Sequence, residues 1–265
     1  MSAKYSDTDI FDYWTQQARM HGQSPTASWS DHYVIELEVK QIVERLSDGD
    51  TVLDVGCANG YSSTRFAAAR KIRLRGLDYV PAMIEQARLR ALESAKLLMG
   101  STEFVIGNVT SLDEKSSSYD KVVAIRVLIN LGSTERQLQG LNECIRVLKP
   151  GGILLLSEAT LQGWKRLNLL RGECGLEGIP MPDFNRYLDE NEIIRAAEAT
   201  TDLVEISNFA SSYYVGTRVI KPLLMRVTGS TIDVANPMTE WNRFCSQLPA
   251  VGDYGTQKLF VFRKR

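Results

Sequence analysis

Thr51–Tyr61 reads TVLDVGCANGY, an apolar run that closes on Asp54 and Val55 and opens at once into Gly56, Cys57, Ala58 and Gly60. Thr51–Val55 fits a short buried strand, and the small residues after it fit a turn with little side-chain bulk. Glycine suits a loop whose backbone must approach a ligand closely or take positive φ. The alanine-rich SSTRFAAARK that follows reads as a helix starting just after the turn. Strand, small-residue turn and helix form the usual opening of a nucleotide-type site, with helix N-terminal amides facing the ligand. Taken alone, such a turn is as well explained by a tight βα connection with nothing bound.

The downstream chain repeats the pattern. Ile72–Leu77 (IRLRGL) reads as a second strand ending at Asp78, and Pro81–Leu98 as a helix with proline in its first turn. Asp78 lies 24 positions after Asp54. An acid at the end of the second strand is where a ribose diol is usually held, and it can cap the next helix as well. Glu103–Ile106 reads as a third strand, followed by Gly107, Asn108 and Val109. Asp120–Leu128 (DKVVAIRVL) reads as a fourth, apolar enough for a parallel strand covered on both faces. Glu135–Leu148 is helical in spacing and is stopped by Lys149-Pro150-Gly151-Gly152, after which Ile153–Ser157 makes a fifth strand with Glu158 at its end. This alternation sets an α/β class with a mainly parallel sheet.

Outside that core the pattern changes. Ile10–Met20 and Tyr33–Leu46 have helical spacing and flank HGQSPTASWSDH, a polar loop that carries Trp29 and both histidines, His21 and His32. A loop of this content ahead of a ligand-binding strand suits a lid. Beyond residue 160, Leu161–Leu176 and Pro180–Leu188 contain interrupted helical stretches, and Asp189–Ala199 is a helix with a capping acid. Leu203–Ala210 and Lys258–Phe262 read as two further strands in a closing antiparallel pair, with helical material at Gly216–Val227 and Pro237–Leu248 between them. The resulting organisation is an N-terminal helical lid (1–47), a core (48–160), cap insertions (161–188 and 211–256), and the end of the core sheet (189–210 and 257–265).

Composition limits the function classes. A chain of 265 residues, 44% hydrophobic and 24% charged, has enough apolar content for one substantial core plus an appended cap. The formal net charge of -1 gives no general electrostatic grip on nucleic acid or an anionic membrane. The polar, acidic opening MSAKYSDTDIFDYW and the lack of a run near the roughly 18 apolar residues of a membrane span give a cytoplasmic expectation. Cys57, Cys144, Cys174 and Cys245 show no CxxC spacing, so neither a metal site nor a disulfide framework is expected.

Four stretches in order, VLDVGCANG at Val52–Gly60, GLDYV at Gly76–Val80, YDKVVAIRVLINL at Tyr119–Leu131 and RVLKPGGILLLSE at Arg146–Glu158, resemble the class I S-adenosylmethionine-dependent methyltransferases. The resemblance covers roughly residues 45–160. The turn GCANGY lacks the GxGxxG of dinucleotide oxidoreductases, and no P-loop GKS/T is present. The resemblance implies a Rossmann-like, seven-stranded methyltransferase sheet, mainly parallel with a C-terminal antiparallel strand, and S-adenosylmethionine as cofactor with S-adenosylhomocysteine as product. It assigns Asp54, Gly56, Ala58 and Gly60 to the turn that cradles the methionine part, Asp78 to the ribose hydroxyls and Tyr79 to the adenine. Family members commonly carry an acid after the third strand; Asn108 stands there in this chain, and its carbonyl with the Val109 amide would serve the adenine. Arg126 falls near the reactive end, contributing by its backbone, since a guanidinium beside a sulfonium is repulsive unless an acid intervenes.

Many small-molecule relatives have a histidine pair after the fourth strand; here the run is Leu128-Ile129-Asn130-Leu131. The base candidates are therefore His21, His32 and Glu158. Trp29, Asn130, Arg166, Arg171, Tyr213 and Tyr214 are the expected acceptor contacts, a set that suits a polar or anionic small molecule such as a sugar derivative, phosphate ester or carboxylate-bearing metabolite. Oxygen is the expected acceptor atom. The alternatives are an amine, an RNA substrate, which the charge balance disfavours, or a cofactor-binding subunit without catalysis; homo-oligomerisation is left open.

Overall fold

The computed structural model describes residues 6–229 and 234–265. Its centre is the strand predicted first. β1 (Thr51–Val55) has four of its five residues buried. It runs parallel between β2 (Arg73–Asp78) and β4 (Tyr119–Ile125), with Leu53 opposite Arg75 on one side and Val122 on the other. β3 (Ser101–Ile106) lies outside β2, and β5 (Leu148–Ala159) outside β4, both parallel. β7 (Gln257–Lys264) inserts antiparallel between β5 and β6 (Thr201–Ser207), which completes a seven-stranded sheet of order β3-β2-β1-β4-β5-β7-β6. The expected antiparallel closing pair is thus present.

Period-two alternation divides the core between the two faces. Leu53, Val122 and Leu154 face α5 (Thr134–Val147) and α7 (Glu190–Ala197) through Leu141, Ile145 and Ile193. Val52, Val123 and Leu155 face α2 (His32–Val43) and α3 (Tyr61–Ala69) through Ile35, Val39, Ile42 and Phe66. Each such side chain contributes roughly 1.5–3 kcal/mol by leaving water, which accounts for the strands reading as continuous apolar runs.

Two sequence expectations change near the strand ends. β4 stops at Ile125 and does not reach Leu128, because Arg126 takes φ +50 and leads into a 3₁₀ turn, Leu128–Asn130. Pro180–Leu188 is not helical. Its two prolines, Pro180 and Pro182, oppose a continuous helix, and its backbone is tied instead to strand ends, Arg186 N donating to Ile129 O at 2.8 Å and Leu188 N to Ala159 O at 3.0 Å.

At the N-terminus, α1 (Asp7–His21) starts with a Ser6/Asp9 capping box and ends at Gly22, φ +51. It packs on α4 (Pro81–Ser94) through a small cluster of Ala18, Ala27, Val80 and Met83, with Phe11, Trp14 and Ala58 against it. The C-terminal part adds α6 (Leu161–Glu173), α8 (Ser211–Val215), α9 (Lys221–Thr228) and α10 (Glu240–Ser246). Among the described residues no helix is long and apolar enough to cross a membrane.

Candidate active site

The carboxyl ends of β1, β2 and β4 open on a cavity of about 980 Å³. This is where ligands bind in an open, mainly parallel sheet, at the point where the strand order reverses from β1. One wall is the predicted turn. Gly56 has φ +70, and a Cβ there would lie 2.7 Å from Val127 Cγ2, so only glycine fits. Ala58, at φ +47, lines the cavity beside it. Gly60 is not among the cavity-lining residues: at φ +71 it starts α3, where a side chain would press on Ala87 and Phe104.

Two carboxylates brace this wall from behind. Asp54 accepts from Ser63 Oγ, and burial pushes its carboxyl up to about 7 against the opposing pull of that hydroxyl. Asp78 Oδ2 accepts from Ala58 N at 3.0 Å and Oδ1 from Val80 N at 2.9 Å, so one side chain links the turns after β1 and β2. Burial raises it to about 6, while those amides oppose the rise. Both line the cavity, together with Tyr79, Asn108 and Val109. Tyr79 meets Phe11 of α1 edge to face, centroids 5.8 Å apart. Asn108 Oδ1 already accepts from Thr110 N and Thr110 Oγ1, both at 2.9 Å, so its amide NH₂ is the end left to face a ligand.

The opposite wall joins the end of β4 to the N-terminal segment and to Pro182–Tyr187. Arg126 pairs with Glu38 of α2 and stands over the Trp29 ring, 4.9 Å from its centroid. Glu38 is buried and accepts also from Ser157 Oγ and from Gln257 Nε2. The acid that must intervene between Arg126 and a sulfonium is therefore Glu38. Sequence reasoning missed it, although an acid on the apolar stripe Ile35, Val39, Ile42 was a readable signal. Asn130 donates to Arg126 O at 2.7 Å and accepts from Asn185 Nδ2 at 2.9 Å, which fastens the 3₁₀ turn to the facing segment. Phe184, also missed, packs against Tyr13 and Trp14, centroids 4.8 and 6.2 Å away.

The remaining predicted residues divide. His21 lines the cavity, its Nδ1 3.3 Å from Thr26 Oγ1, and Tyr214 lines it too. His32 lies outside the lining, against Tyr33 and Tyr61. Glu158 is fully buried, and its Oε1 accepts from Val127 N at 2.8 Å and Leu128 N at 2.7 Å. Its carboxyl caps the turn that carries Asn130 and does not itself face the cavity. Arg166 pairs with Asp253, Arg171 donates to Glu177 O and Arg218 O, and Tyr213 donates to Asp31 Oδ1 at 2.7 Å. None of these three reaches the cavity.

The turn therefore fits an S-adenosyl cofactor: a left-handed turn at Gly56 and Ala58, closed to a side chain at Gly56 by Val127, a carboxylate on the next strand, and an amide beyond it. A methyltransferase domain family matches residues 52–152. An O-methyltransferase of Aspergillus sclerotiorum is 26% identical over 52% of this chain and 52% of its own, and a ubiquinone biosynthesis O-methyltransferase of Idiomarina loihiensis is 28% identical over 57% and 60%. The chain thus spans little more than half the length of these curated relatives. Magnesium protoporphyrin IX methyltransferase from Synechocystis PCC 6803, solved with bound S-adenosylhomocysteine, shares the fold at TM-score 0.63 and 16% identity, covering 98% of this chain and 100% of that one. Residues 52–152 thus carry the match to a methyltransferase domain, and the strand order and turn geometry around them agree with a class I S-adenosylmethionine-dependent methyltransferase.

Proposed function

We propose that this protein transfers a methyl group to an oxygen of a small molecule whose body is flat, largely apolar and uncharged. The observation that carries the reading is the wall beyond the cofactor turn, where Trp14, Trp29, Phe184, Tyr187 and Tyr214 line the same cavity as His21. Aromatic walls with a few polar groups suit an apolar ring system held by its edges. The expected anionic acceptor loses its support, because Arg166 and Arg171 are engaged elsewhere. The guanidinium groups that do line the cavity face carboxylates, Arg126 with Glu38 and Arg136 with Asp7. The names of the two curated relatives support oxygen as the acceptor atom.

When bound, S-adenosylmethionine supplies a methyl group on a sulfonium, open to in-line displacement. The chain's own contribution is placement and dryness. Gly56, Ala58 and Asp78 would hold the cofactor, and Tyr79, Asn108 and Val109 its adenine end. The Glu38 carboxylate compensates the Arg126 charge, so that the end of β4 presents only its backbone. A hydroxyl acceptor has to lose its proton as the new bond forms, and His21 is the base we assign to take it. An amine acceptor is the second reading, and it needs no such base.

Labelled S-adenosylmethionine with a panel of neutral hydroxylated aromatics, sugar phosphates and amines tests this. Product from the first group is expected; product from sugar phosphates alone would overturn the acceptor class. Tight cofactor binding without turnover across the panel would indicate a non-catalytic subunit. His21→Ala should lower kcat about a hundredfold or more, the usual worth of a general base, and leave cofactor affinity nearly unchanged. Full activity in that variant removes His21 and favours the amine reading.

A further inference from the structure

The three carbonyls that follow α1 are all held by side chains of the cofactor-binding half. Asn59 Nδ2 donates to Gly22 O at 2.9 Å and to Ser24 O at 2.7 Å, so both hydrogens of the amide are used. The carbonyl between them, Gln23 O, accepts from the Arg90 guanidinium. Arg90 in turn donates through Nε to Asn59 O at 3.1 Å and stands over the Tyr61 ring at 5.1 Å. Asn59 is only 1% exposed, although it belongs to the turn GCANGY.

The buried apolar cluster under the N-terminal segment, Ala18 and Ala27 against Val80 and Met83 with Phe11 and Trp14 packed on it, is separate from both faces of the sheet core. α2, by contrast, is embedded in the sheet core through Val34, Ile35, Val39 and Ile42. α1 and the residues up to Ser28 can therefore lift without disturbing the sheet, with α2 staying in place. Those same residues, Thr26, Ala27 and Ser28 with Phe11, Trp14 and His21, wall the cavity. Aromatic contacts of Phe11 with Tyr79 and of Tyr13 and Trp14 with Phe184, the Arg136–Asp7 pair and a Gln23–Glu93 hydrogen bond also hold the segment. The three side-chain hydrogen bonds to Gly22, Gln23 and Ser24 are the ones that tie it directly to the cofactor turn and must break when it opens.

We infer that Asn59, seconded by Arg90, is the latch of this lid and sets the rate at which the S-adenosyl ligand enters and leaves. The inference rests on the cofactor reading of the cavity. Asn59 touches no reacting atom in this role and is a positioning residue, one that couples the cofactor turn to the segment carrying His21.

The test is ligand exchange in the full chain. S-adenosylhomocysteine association and dissociation are followed by stopped-flow fluorescence of Trp14 and Trp29, for the wild type, Asn59→Ala and Arg90→Gln. A weakened latch should raise the dissociation rate about tenfold in Asn59→Ala and several-fold in Arg90→Gln, and should raise the association rate as well, so that Kd changes less than either rate. A turn merely damaged by the substitution would instead dissociate faster and associate more slowly, which would overturn the proposal. Unchanged rates in both variants would also overturn it while leaving the cofactor reading intact; failure of the wild type to bind S-adenosylhomocysteine would overturn both. Should Asn59→Ala not fold, Arg90→Gln decides alone, since its partner on the lid is a single carbonyl.

Discussion

Asp78→Ala is expected to weaken S-adenosylhomocysteine binding about a hundredfold, measured by calorimetry on the isolated protein. A hydrogen bond to a charged group contributes roughly 1.5–3 kcal/mol, and a carboxylate that accepts from two ribose hydroxyls loses both when truncated. The structure adds a second reason. Asp78 also receives the amides of Ala58 and Val80, so alanine leaves two backbone donors unpaired and frees the turn after β1 from the turn after β2. Asp78→Asn retains one acceptor oxygen and nearly the same volume, and its loss should be smaller. Unchanged affinity in Asp78→Ala would remove the ribose assignment and leave the rest of the cradle standing.

The difference between what was legible and what was not follows from how local each signal is. The Gly56 turn, Asp78 at the end of β2 and the apolar runs of the strands are fixed by neighbours within a few residues, and these placed the sheet and the donor side of the cavity. The opposite wall is made of contacts far apart in sequence. Arg166 and Tyr213 were read from residue type alone, yet their partners are Asp253 and Asp31, which no spacing rule connects to them. Phe184 was hidden by reading Pro180–Leu188 as helical, because the backbone bonds that hold that segment extended come from Ile129 and Ala159. Arg126 shows the same limit at one residue: its apolar neighbours extend the strand on paper, while its left-handed backbone ends it. Such a conformation persists only where surroundings enforce it, and here Arg126 N still donates to Ser157 O at 2.9 Å as its side chain turns to Glu38.

Glu158 carries the second large expected effect, on stability rather than binding. Its carboxyl is fully buried, its Oε2 has no hydrogen-bond partner, and burial pushes it up to about 8 against the amides of Leu128 and Val127 and, more weakly, the Arg126 charge. The folded protein therefore keeps this proton where the unfolded chain, titrating near 4.5, has released it. A carboxyl raised in the folded state contributes stability that is complete below its unfolded value and is lost as pH rises through the folded one. The ligand-free protein should lose roughly 4 kcal/mol from this group between pH 4.5 and 8, with Asp54 and Asp78 adding losses of the same sign. Glu158→Gln keeps an oxygen for the two amides and cannot ionise. It places an unpaired NH₂ where Oε2 stood, so it should be slightly less stable than the wild type at pH 5 and distinctly more stable at pH 8.5. Urea unfolding at both pH values would show the two stability curves crossing. Parallel curves would mean that Glu158 is charged in the fold at pH 5 and that the turn of Asn130 is capped by a carboxylate after all.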